Sequence, residues 1–143
     1  MIFSSGKYSP GGKFYMKPLT REWIAKAEGD YMTATREFRA RKAPNYDACC
    51  FHAQQCVEKY LKARLQEADR PFAKTHNLTA LLDLLVPLEP LWESLRAALR
   101  ILNAYAVEMR YPGESADKPM AREALKICRM ARSEARQSLR LKP

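Results

Sequence analysis

The chain has 143 residues and a formal net charge of +9, from 25 Lys and Arg against 16 Asp and Glu. With 47% hydrophobic and 29% charged residues, the composition is globular and excludes intrinsic disorder of the whole chain. No apolar run reaches the roughly 18 residues of a membrane-spanning helix. The basic balance points to an anionic partner: nucleic acid, nucleotide or an acidic protein.

The first sixteen residues carry Gly, Ser and Pro without helical periodicity, and they lack the apolar stretch of a signal peptide. Residues 1–17 are therefore expected to form a flexible tail ahead of one helical domain, residues 18–143. Met1 and Met16 both remain open as translation starts.

Five helical segments follow. Between Thr20 and Ala40, residues Trp23, Ala27, Tyr31, Ala34 and Phe38 recur at helical steps, and Thr20 is the expected N-cap. From Tyr46 to Ala68 the core stripe reads Tyr46, Cys50, Ala53, Val57 and Leu61. A second stripe of Phe51, Gln55, Glu58 and Lys62 runs beside it. Asn77 to Val86 is a short helix with Leu78, Leu81, Leu82, Leu85 and Val86 inward, capped by Thr75 or Asn77 and closed by Pro87. A fourth helix is expected from Leu91 to Met109, with Leu91, Leu95, Ala98, Leu102, Tyr105 and Met109 inward and Trp92, Leu99 and Ala106 widening the stripe. It stops at Arg110-Tyr111-Pro112-Gly113. The fifth runs from Pro119 to Leu139, and its stripe of Ala124, Cys128, Ala131 and Ala135 predicts close packing on a neighbour. The pattern is all-α, an antiparallel bundle of about five helices with no strand.

The four cysteines are Cys49, Cys50, Cys56 and Cys128, and three share one predicted helix. That is a poor disulfide framework, so a reducing, cytoplasmic setting is expected. Cys49, His52 and Cys56 share one helical face, but no fourth ligand accompanies them, and no metal or cofactor is expected. There is no Gly-rich phosphate loop and no nucleophile elbow. Two histidines exist, His52 and His76.

Three stretches carry a resemblance: Phe51-His52-Ala53-Gln54-Gln55-Cys56-Val57-Glu58-Lys59-Tyr60-Leu61-Lys62-Ala63, then Thr75-His76-Asn77-Leu78, then Arg110-Tyr111-Pro112. In this order, and behind Trp23-Ile24-Ala25-Lys26-Ala27-Glu28-Gly29-Asp30-Tyr31, the sequence resembles the HEPN family, the higher-eukaryote and prokaryote nucleotide-binding domains. The resemblance implies a helical bundle that often forms homodimers. Many such domains are encoded beside a minimal nucleotidyltransferase, in toxin–antitoxin-like or defence modules. Many others are metal-independent ribonucleases that use an Arg followed closely by a His. No His follows Arg110, so the chain resembles the branch without that nuclease motif, and no catalytic residue carries over.

The resemblance thus implies a binding and interaction module. Its candidate nucleotide- or phosphate-binding residues are Arg110, Tyr111, Lys59, Lys62 and His76, and its candidate groove or interface residues are Phe51, Gln55 and Glu58. The alternative is a metal-independent ribonuclease that uses Arg110 with a non-standard base such as His76.

Overall fold

The computed structural model describes residues 15–143, together with the backbone of residues 7, 8 and 14. The expected tail otherwise lies outside the described residues. Two short strands, β1 (Lys7–Tyr8) and β2 (Phe14–Tyr15), pair antiparallel with Lys7 opposite Tyr15. No strand was expected, because two residues per strand leave no alternation to read. The end of the expected tail belongs to the body of the protein. Met16 packs against the core, and the Lys17 N–H donates to Glu67 Oε1 at 3.1 Å.

The five helices are α1 (Pro18–Arg39), α2 (Tyr46–Glu67), α3 (Leu78–Leu85), α4 (Arg96–Glu108) and α5 (Lys118–Ser138). α1 begins two residues ahead of Thr20, because Pro18 suits a first turn. Thr20 is therefore no cap: it is buried inside the helix, and its hydroxyl has no partner among the described residues. True caps stand at Asn45, Asn77 and Asp117. Their side-chain oxygens accept from Ala48 N–H at 2.9 Å, from Thr79 N–H at 3.0 Å and from Met120 N–H at 2.9 Å. Each removes one of the orphan donors of a helix start.

α2 is the axis of the fold and packs against each of the other four helices. That explains why its polar positions do not stay outside. Glu58, Lys62, Arg64 and Glu67 are all buried along with its apolar stripe. α5 lies against α2 through Ala124, Cys128, Ala131 and Ala135, whose small side chains allow a close approach. The leucines of α3 close one end of the core.

The segment read as the start of a long fourth helix is a separate 3-10 helix, Pro90–Leu95, leading into α4. A 3-10 turn advances about 120° per residue, against about 100° for an α-helix, so the inward face shifts between them. Leu91 consequently points out, 87% exposed, and Trp92 takes the core position at 4%. Leu95, Leu99, Leu102 and Ala106 continue that face.

Candidate functional site

The polar edge of α2 meets the start of α3 and the outer half of α4. Gln54, almost fully buried, donates from Nε2 to the His76 carbonyl at 2.7 Å and so fixes the turn that opens α3. Asn103 on α4 accepts from Leu78 N–H at 3.2 Å and donates from Nδ2 to Asn77 Oδ1 at 2.9 Å. Gln55 donates to Gln54 Oε1 at 2.8 Å and to Glu58 Oε1 at 3.3 Å. These amides tie three helices together around a cleft of about 400 Å³. Gln54, His76, Asn77 and Asn103 give its lining a polar side, Ala104, Ala106 and Val107 an apolar one, and Arg110 completes it.

Charge is distributed unevenly here. Glu58 is buried but doubly engaged: Oε1 lies 3.0 Å from His76 Nδ1, and Oε2 accepts from Lys62 Nζ at 3.1 Å. Lys62 is buried too, its ammonium 5.5 Å from the Trp23 ring centroid and 5.9 Å from that of Phe72. Desolvating both charges is offset by their pairing and by the two aromatic faces. With Nδ1 held by Glu58, His76 keeps Nε2 for the cleft, and its side chain is 72% exposed. Arg110 differs: it forms no ion pair among the described residues, and its guanidinium sits 5.5 Å from the centroid of the Phe51 ring. A planar fork of donors on an aromatic face, without a carboxylate, is available to an anion.

His76 and Arg110 thus share one cleft, with Phe51 beneath Arg110 and Gln55 and Glu58 behind His76. Other expected site residues lie elsewhere. Lys59 faces α1, where its Nζ donates to Asp30 Oδ2 at 2.5 Å beside the His52 Nδ1–Asp30 Oδ1 contact of 2.7 Å. Lys62 is locked against Glu58 and two rings. Tyr111 is exposed beyond the end of α4, outside the cleft lining. Gln54 and Asn103 were not singled out from sequence. Their signal was faint: amides one position away from core residues Ala53 and Leu102, with nothing local to show that they bond across helices.

Cys49, His52 and Cys56 diverge. Cys49 Sγ lies 3.8 Å from the Ala121 carbonyl, His52 is bound to Asp30, and Cys56 neighbours Cys128. Burial, with the neighbouring Cys50 adding to it, pushes the Cys49 thiol up to about 12. Burial likewise pushes Cys50 up to about 11. These groups fill core space as thiols, not thiolates.

Five helices packed around α2, with an amide-lined cleft that Arg110 completes, define an all-α helical bundle. The chain belongs to the HEPN domain family, whose profile matches residues 20–137. Among solved structures it is similar to the crystal structure of TT1696 from Thermus thermophilus, at 24% identity and a TM-score of 0.67, covering 85% of this chain and 98% of that one. That likeness shows the fold. No curated protein matches the chain. Among the described residues, no helix is long and apolar enough to cross a membrane.

Proposed function

We propose that this HEPN domain is a binding and interaction module that takes a phosphate-bearing ligand, a nucleotide or an RNA, in the cleft between α2, α3 and α4. One observation carries the reading: Arg110, unpaired with any carboxylate among the described residues, lines a cleft whose other polar groups are Gln54, His76, Asn77 and Asn103. Arg110 would grip phosphate oxygens. Asn77 and His76 Nε2 would reach sugar or base edges, while Ala106 and Val107 offer an apolar wall to the ring. Family membership supports a homodimer and pairing with a minimal nucleotidyltransferase in a toxin–antitoxin-like or defence module. Calorimetric titration with ATP at low salt tests the reading. Binding is expected, and its persistence unchanged in Arg110→Ala would refute it.

A second reading, metal-independent ribonuclease activity, has its own observation: Glu58 holds Nδ1 of His76 at 3.0 Å in the cleft that Arg110 lines. That pair could take a proton from a 2′-hydroxyl while Arg110 stabilises phosphate charge. The leaving oxygen needs a proton as well, and among the described residues the cleft lining offers no second imidazole and no carboxyl group. The binding reading is therefore preferred, and RNA incubated with the protein in chelator should stay intact. Cleavage abolished by His76→Ala would reverse that preference.

A further inference from the structure

A second basic surface lies on α1 and α5 and shares no residue with the Arg110 cleft. α5 runs beside α1 so that Arg122 seats its guanidinium 5.8 Å from the Phe38 ring centroid, and Arg132 seats its own 4.3 Å from that of Tyr31. Arg129 Nε donates to the Tyr31 hydroxyl at 3.3 Å. On the adjoining face of α1, a groove of about 550 Å³ is lined, among the described residues, by Tyr31, Met32, Thr35, Arg36, Arg39 and Ala40. Arg36, Arg39, Arg122, Lys126 and Arg129 are all exposed, and none forms an ion pair among the described residues. The nearby acids are each engaged already. Glu28 is bound by Arg132, Glu37 Oε1 accepts from Asn45 N–H at 3.1 Å, and Glu123 accepts from Tyr105.

We propose that this α1–α5 ridge binds the phosphate backbone of single-stranded RNA, without reading its sequence. Five unpaired cations in two rows attract a polyanion. Helix α1 alone, 22 residues at about 1.5 Å each, is long enough to track several nucleotides. Guanidinium groups seated over Tyr31 and Phe38 give splayed bases planar groups to stack on. A lipid surface fits less well. The rings lie half-buried beneath the arginines, and Met32 and Met130 are the exposed large apolar side chains within these stretches of α1 and α5, too few for an inserting face.

The test uses the full chain and a fluorescein-labelled oligouridylate long enough to span both helices, read by polarisation over a salt series. Arg36→Glu with Arg39→Glu should weaken binding at least about tenfold at low salt, and Arg122→Glu with Lys126→Glu should do the same. Each pair should lower the slope of log affinity against log salt by about 1.4, or about 0.7 per lost phosphate contact. Circular dichroism checks folding; if a reversal unfolds the chain, the Gln versions must still lower the slope. Unchanged affinity and slope in folded variants would overturn the proposal. So would ridge-dependent binding to phosphatidylserine vesicles with no binding to RNA. ATP binding at the Arg110 cleft should stay within about twofold in both ridge pairs, which share no residue with it. RNA binding lost in Arg110→Ala but kept in the ridge variants would overturn the ridge and leave the cleft reading standing.

Discussion

Two arginine-bearing regions of the molecule are built on opposite plans. Between α1, α2 and α5, Arg132 grips Glu28 at 2.7 and 2.6 Å, Arg136 Nη1 donates to the Tyr60 hydroxyl at 2.9 Å, and Tyr60 in turn donates to Glu28 at 2.5 Å. Glu28, Arg132 and Arg136 all have partners there, and the network ties three helices together. Around the α2–α3–α4 cleft it is the amides that are mutually satisfied, while Arg110 is left without a carboxylate. The same residue type is structural in the first region and available in the second. The difference is whether a carboxylate from a neighbouring helix reaches it.

The comparison breaks first at Glu28. Glu28→Ala strands Arg132 and removes the acceptor of Tyr60, so stability should fall by about 1–3 kcal/mol in urea denaturation. ATP binding at the cleft, extrapolated to the folded protein, should hold. If ATP binding falls with stability, the two regions are not separate. Arg110→Ala should do the reverse. ATP affinity should drop about tenfold, about 1.4 kcal/mol, with little change in melting temperature. A large fall in melting temperature would make Arg110 a structural helix terminus.

Asn77→Ala sits between the two cases. It removes the cap of α3 and one bond to Asn103, and should cost about 1 kcal/mol while loosening the cleft.

A smaller effect is expected with acid. Burial raises the Glu28 carboxyl pKa, but hydrogen bonds from Arg132 and Tyr60 and the charges of Arg132 and Arg136 outweigh it, leaving the group below its ordinary 4.5. A carboxylate lowered on folding stabilises the protein above its unfolded value, and that contribution is lost as pH falls through the folded one. Stability should therefore decline below about pH 4.5, with a shallower decline in Glu28→Gln. An equally steep decline in that variant would assign the acid sensitivity to other carboxylates. The smallest effect is chemical: iodoacetamide at pH 8 should leave Cys49 and Cys50 unlabelled in the folded protein and label both in urea.

The sequence by itself determined the helices, because 3.6-residue periodicity and Pro and Gly breakers are local properties of the chain. The stripes of α2, α3 and α5 lie inward as read, and the cap at Asn77, one of the two candidates for α3, follows from residues a few positions apart. The motifs around Gln54, His76 and Arg110 were legible as a family resemblance, and the family match confirms the membership.

What the tertiary structure decided was which side chains meet. Leu91 went out and Trp92 in because a 3-10 turn changed the phase of the helix, which no residue-by-residue stripe can show. Lys59 and Lys62 read alike in sequence, yet one is bound to Asp30 of α1 and the other is sunk between Glu58 and two aromatic rings. His76 and Arg110 belong to separate segments, and only the packing of α3 and α4 on α2 brings them to one cleft. Periodicity fixes the face of each helix. The rotation of one helix about another, set by core packing and by amides such as Gln54 and Asn103, fixes which charges are paired and which are left free.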